Sequence, residues 1–243
     1  MSIVPVRAAT NQSSEQRSQL LYGEPFKITE HRKEWYKIRV TFDGTEGWVQ
    51  KNQVCPIDKA TYQSVKEIKH PAYAADLVSY VSRKNEQLIP IVLGSSVQYA
   101  PYLGHIFDGE EIRGKQDKAT IVHTALQYLN APYQWGGKSP FGVDCSGLTQ
   151  MVYKVNGHAL PRNASEQATK GEVLSFVEEC EPGDLAFFDN EDGVITHVGI
   201  IMNNNYIIHA HGYVRIDRLD QTGIFNTDMG TYTHKLRVIK KML

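Results

Sequence analysis

Three cysteines among 243 residues, Cys55, Cys145 and Cys180, are too few and too odd in number for a disulfide framework. Each is by default a small, buried apolar side chain. An excess of either charge is also lacking, because 26 basic and 27 acidic residues leave a net charge of -1. No basic field is present to draw nucleic acid or an anionic membrane, and neither is expected as a partner. No stretch approaches the roughly 18 apolar residues of a membrane span. The opening MSIVPVRAAT has neither the basic start nor the apolar run of a signal peptide. The expected compartment is therefore the cytoplasm, or the cell exterior if a leader has been removed. Internal repeats and low-complexity tracts are absent too. What remains is ordinary globular composition, 41% apolar and 22% charged, which allows a sizeable core and argues against disorder.

The chain reads as three segments. In residues 1–56, short β-rich runs alternate with turn signals. These runs are Ile3 to Val6, Phe26 to Thr29 after a Gly-Glu-Pro turn at Gly23–Pro25, Trp35 to Phe42, and Glu46 to Val49 after the hairpin turn Asp43-Gly44. The stretches EWYKIR and DGTEGWV resemble a bacterial SH3-like barrel, with Trp35 and Trp48 read as core. Residues 57–112 are broken by Pro71, Pro90 and Pro101 and rich in tyrosine, with a candidate strand at Leu88 to Leu93. They read as a second, degenerate barrel or a structured linker, since so long a stretch without structure is unusual inside a compact protein. Residues 113–243 open with helical spacing over Ala119 to Leu129. A second helix follows Asp144, its apolar stripe formed by Leu148, Val152 and Val155, its cap by Asp144 and its stop by Gly157. A short helix over Ala164 to Lys170 comes next. Strands are then expected at Asp184 to Phe188, His197 to Met202, Tyr206 to His211, Val214 to Leu219 and Lys235 to Lys240. Helices followed by strands predict an α+β domain with a mostly antiparallel sheet.

Cys145 stands at the first turn of the second helix, directly after its cap. A helix N-terminus carries partial positive charge and unpaired N–H groups, which favour the nucleophilic thiolate and can hold an oxyanion. Two downstream histidines lie on adjacent strands joined by the turn-forming Asn203 to Asn205: His197 opens one and His209 lies in the next. Side chains of that hairpin can converge on a helix N-terminus packed against it, as a Cys–His pair with an orienting third group requires. His211 shares a strand face with His209, and spacing alone does not choose between them. A metal site of His197, His209 and His211 is the minor alternative, because no carboxylate or second cysteine has ligand spacing. No cofactor or metal is expected. Cys55 and Cys180 lack any such context and read as structural.

The blocks PYQWGGKSPFGVDCSGLTQMVY, LPRNASEQ, PGDLAFFDN and THVGIIMNNNYIIHA resemble, in order and spacing, the NlpC-type cell-wall peptidases, papain-like hydrolases of peptidoglycan stem peptides. The resemblance covers about residues 115 to 240. It implies a papain-like fold, a triad of Cys145, His197 and His209, and a phenol, Tyr133, assisting the oxyanion. With an N-terminal SH3-like barrel, the chain further resembles γ-D-glutamyl-L-diamino acid endopeptidases, which recycle murein peptides bearing a free N-terminal L-alanine. That implies substrate contacts by Asp144, Ser146 and Ser165, and an ammonium partner such as Glu46 or Tyr80 from the N-terminal modules. The expected partner is a murein peptide such as L-Ala-γ-D-Glu-diamino acid, and the expected state is a monomer. The alternatives are an amidase or acyltransferase on the same thiol, or a non-enzymatic wall-peptide binding protein.

Overall fold

The computed structural model describes residues 1–68 and 70–243, which divide into two units. The first unit comprises residues 1–115 and 135–140, the second residues 116–134 and 141–243.

The first unit begins with five strands, Ile3–Arg7 (β1), Gln16–Leu21 (β2), Phe26–Arg32 (β3), Trp35–Val40 (β4) and Glu46–Gln50 (β5). They form one antiparallel sheet in the order β2-β1-β5-β4-β3. Alternation puts Val4, Val6, Leu20, Ile38, Val40 and Val49 inside. The Asp43-Gly44 turn is set by Gly44 at φ 77° and by Asp43 Oδ1, which accepts from the Thr45 amide at 2.9 Å. Trp48 is buried, whereas Trp35 is only half-buried. The strand β2 escapes a reading by pattern because its first four residues, Gln-Arg-Ser-Gln, are polar although Ser18 and Gln19 are buried.

Within residues 57–112 the described residues carry regular structure. They form a helix at Lys59–Lys66 (α1) and strands at Ala72–Ala74 (β6), Val78–Arg83 (β7), Leu88–Val92 (β8), His105–Phe107 (β9) and Glu111–Arg113 (β10). Two small sheets, β10-β6 and β8-β7-β9, share a core with Tyr22. The turn after β2 approaches this module closely. Gly23 sits at φ +77°, a Cβ there would collide with the Ser96 carbonyl, and the Ser96 amide donates to Tyr22 O at 2.8 Å. Residues 135–140 carry Lys138, whose ammonium is buried against Glu24 at 2.9 Å.

The second unit holds helices Ala119–Leu126 (α2), Cys145–Val155 (α3) and Ala164–Gln167 (α4). Along the chain the two-residue strands Lys138–Ser139 (β11), which belongs to the first unit, and Gly142–Val143 (β12) intervene between α2 and α3, so the helices are not all gathered ahead of the strands. Then come Glu172–Leu174 (β13), Leu185–Asp189 (β14), Ile195–Met202 (β15), Tyr206–His211 (β16), Tyr213–Leu219 (β17), Gly223–Asn226 (β18) and Thr231–Lys241 (β19). Every pairing among these is antiparallel, and because β18 also pairs with β19, strands β14 to β19 close into a six-stranded barrel. Sheet therefore dominates this unit, with few and short helices.

Two expected helices are shorter than their patterns. α2 stops at Leu126 because tighter i→i−3 bonds follow and Asn130 turns left-handed at φ 67°. α4 stops at Gln167, its continuation to Lys170 being turns. By contrast α3 has the expected limits: Asp144 accepts from the Gly147 amide at 2.7 Å, and Gly157 ends the run at φ 79°. All eleven of its residues are buried, and it packs on β15, β16 and α2. That packing delivers the residue at its N-terminus to the barrel wall.

Candidate active site

Cys145 is the first residue of α3 and is buried. Its thiol lies 3.9 Å from the Thr196 carbonyl, and the amides of Val198 and Ser146 also act on the sulfur. Thr196 and Val198 flank His197 on β15, so the sulfur is set against the strand at the position of that histidine. His197 is the third residue of its strand rather than the first.

The imidazoles form a chain. His197 Nε2 and His209 Nδ1 share a hydrogen bond at 2.9 Å, and His209 Nε2 lies 3.0 Å from Asp217 Oδ2. All three residues are buried. His211, the other candidate for third place, is exposed, with its ring 6.5 Å from that of His197. The hydrogen bond therefore goes to His209. Asp217 lies on β17 and is gripped by Arg215, Nε to Oδ2 at 2.7 Å and Nη2 to Oδ1 at 2.9 Å.

His234, on β19, stacks on His197 with centroids 4.1 Å apart and 24° between the planes, and Phe188 lies 5.8 Å from the same ring. Nitrogens of His197, His209 and His234 fall within 4.8 Å of one another. Such a triangle can hold a metal ion in principle. Here two of the rings already share a hydrogen bond. The lone pairs of the stacked pair run side by side in near-parallel planes and do not converge on one point. The arrangement suits proton transfer better than coordination.

Burial favours the neutral form of both groups. Burial pushes the Cys145 thiol up to about 12, and the Asp144 charge adds to this, while the amides of Val198 and Ser146 and the charge of Arg162 pull the other way. Burial also drives His197 well below 6.5, helped by the neighbouring histidines. The helix N-terminus thus opposes but does not overcome desolvation of the sulfur. A neutral imidazole beside a neutral thiol is the starting state for general-base activation.

Tyr133 is exposed, yet partial burial of its hydroxyl followed by the charges of Cys145 and Asp144 raises its phenol to about 12. It is a proton-bearing hydroxyl within electrostatic reach of the sulfur. Asp144 and Ser146 are both buried and both bound by Arg162. Its Nη1 donates to Asp144 Oδ1 at 2.9 Å and to Ser146 Oγ at 3.0 Å, and its Nη2 donates to Asp144 Oδ2 at 2.6 Å. An ammonium brought to Asp144 would meet this guanidinium beside the same carboxylate. Ser165 is exposed on α4. Glu46 and Tyr80 belong to the other unit. Glu46 is half-buried on β5 and bound by Arg39, with Nε to Oε1 at 2.7 Å, and Tyr80 is exposed on β7. Cys55 is exposed and Cys180 partly so.

Sequence reasoning missed Arg162, Asp217, Arg215 and His234. Arg162 was visible as the cation of LPRNASEQ. Asp217 was visible as an acid at a core-facing position of an otherwise apolar and basic strand, VRIDRL. Nothing local marks His234, which reaches the site only because the barrel closes.

Residues 130–233 match the NlpC/P60 family and residues 4–53 match the bacterial SH3 domain. A gamma-D-glutamyl-L-lysine dipeptidyl-peptidase of Bacillus subtilis (strain 168) is 28% identical over 80% of this chain and 72% of its own length. Dipeptidyl-peptidase 6 of Lysinibacillus sphaericus is 28% identical over 88% of each chain. Among solved structures, an NlpC/P60 family protein from Bacillus cereus ATCC 10987 shares the fold at a TM-score of 0.79 and 17% identity, over 100% of this chain and 97% of that one.

Proposed function

We propose, from the matches of residues 130–233 to the NlpC/P60 family and of residues 4–53 to the bacterial SH3 domain, that the chain is a cysteine peptidase hydrolysing the γ-D-glutamyl–diamino acid bond of murein stem peptides. The observation that carries this reading is the buried hydrogen-bond chain from His197 to His209, set against the thiol at the capped end of α3. The relatives named for γ-D-glutamyl-L-lysine bonds support the substrate class.

In this mechanism His197 removes the thiol proton as the sulfur attacks the γ-glutamyl carbonyl. The resulting oxyanion takes hydrogen bonds from the first turn of α3 and from Tyr133. His197 then gives its proton to the departing amine of the diamino acid, leaving a thioester. Water, deprotonated by the same imidazole, releases the glutamyl acid and restores the thiol. Asp144 and Ser146 are proposed to border the pocket for the free L-alanine end, with Ser165 a further contact. Arg162 makes direct pairing of an ammonium with Asp144 costly. The hydroxyl of Ser146 is then the better-suited partner. The reading extends to recycling of free peptides in the cytoplasm.

Mass spectrometry of products tests it. The substrates are L-Ala-γ-D-Glu carrying L-lysine or meso-diaminopimelate, their N-acetylated forms, and intact peptidoglycan. Release of the diamino acid from the free tripeptides alone is expected. Cleavage of all the substrates would remove the requirement for a free N-terminus, and cleavage of none would remove the peptidase.

A further inference from the structure

The hydrogen-bond chain does not end at His209, and its far end has a chemical consequence at the near one. Asp217 lies diagonally across from His209, whose direct partner on β17 is Arg215. Its carboxylate is fully buried and accepts three hydrogen bonds. His209 Nε2 reaches Oδ2 at 3.0 Å, Arg215 Nε reaches Oδ2 at 2.7 Å, and Arg215 Nη2 reaches Oδ1 at 2.9 Å. Arg215 is itself steadied by Asp228, 2.8 Å away. Burial alone would raise the Asp217 carboxyl. The bonds from His209 and Arg215 outweigh it and hold the group below the ordinary carboxylate range. His209, lowered by burial, stays neutral beside it.

We propose that Asp217, clamped by Arg215, is a positioning residue that fixes which nitrogen of His197 serves as the base; this rests on the peptidase reading above. An ionised carboxylate only accepts, so His209 must carry its proton on Nε2. A neutral imidazole has one ring proton, so Nδ1 of His209 is bare and accepts. Its partner at 2.9 Å, His197 Nε2, must therefore donate. The lone pair of His197 is then confined to Nδ1, the nitrogen left for the thiol. When Nδ1 takes the proton of Cys145, the imidazolium keeps both N–H bonds and Asp217 stays a carboxylate. The residue acts through His209 and never touches the reacting atoms.

The test reads tautomers directly. Protein labelled with 15N-histidine is examined by long-range 1H–15N correlation near neutral pH, alongside hydrolysis of the free tripeptide. The expected pattern is Nε2–H with bare Nδ1 on both His197 and His209. In Asp217→Asn the amide can donate, and Nδ1–H is expected on His209 and His197. The accompanying fall in kcat is on the order of 10²-fold or more, as a wrong tautomer costs in other triads, with KM within twofold. The reverse tautomers in active wild-type protein would overturn the role of Asp217 and leave the peptidase standing. The expected tautomers in a protein that cleaves no peptide would uphold the role and overturn the peptidase. A variant with unchanged tautomers and kcat would also overturn the role of Asp217, and if the variant does not fold, the wild-type spectrum decides alone.

Discussion

Arg162 Nη2 lies 2.6 Å from Asp144 Oδ2, joining the residue before Cys145 to the segment that leads into α4. Both side chains are almost fully buried, so neither charge has water to fall back on. Replacing Arg162 by methionine strands the carboxylate that caps α3. A loss of about 3–5 kcal/mol is expected, the usual cost of breaking a buried pair. Urea denaturation measures it. A loss under about 1 kcal/mol would mean that the pair is not needed for the fold. Because Asp144 also orients the first turn of α3, hydrolysis should fall in the protein that remains folded.

Tyr133→Phe removes only the phenolic hydroxyl. If that hydroxyl holds the oxyanion, kcat falls by about 10²-fold, as for other oxyanion donors, with KM little changed. Steady-state kinetics on the free tripeptide would separate this from a substrate-binding role, which would move KM.

Stability should fall with acid before the carboxylates titrate. His197, His209 and His234 are all depressed in the fold, His234 to about 4, each first by burial. The unfolded chain binds protons at these sites from about 6.5 downward while the folded one does not, so lowering the pH favours unfolding. The window runs from 6.5 to about 4. Melting temperatures measured across it should decline, and His234→Phe should flatten the decline. A flat profile in the wild type would contradict the burial of these rings as neutral groups. For the same reason the acid limb of kcat/KM should lie below 6.5.

In the first unit, Lys138 and Glu24 form a second buried pair, both side chains almost wholly shielded. Lys138→Met should cost about 3–5 kcal/mol. Adding Glu24→Leu should recover only part of this, because Glu24 also accepts from the Leu21 amide at 2.9 Å. Thermal unfolding of the single and double variants checks both statements.

Much of the site was legible because its parts are local. A capped cysteine at a helix start and two histidines on consecutive strands are written in short segments, and α3 and β16 have the limits their patterns predict. Spacing alone left the third place open, since His209 and His211 have equal claims by strand period; the family resemblance pointed to His209, and burial and the hydrogen bond to His197 separate the two. The remainder depends on closure. His234 reaches His197 from the last strand, and Asp217 reaches His209 across a diagonal of the barrel wall. Neither relation has a signature in spacing. Polar strands such as β2, and strands of three or four residues such as β13 and β18, were missed because their alternation is too weak or too short to register.

The most direct test of the account is product release from the free tripeptide by wild-type protein and by Cys145→Ala, followed by mass spectrometry, with the fold of each checked by circular dichroism. Release of the diamino acid by the wild type, and none above background by the folded variant, is expected. Equal release by both would contradict it, because the bond would then be broken without the thiol at the head of α3.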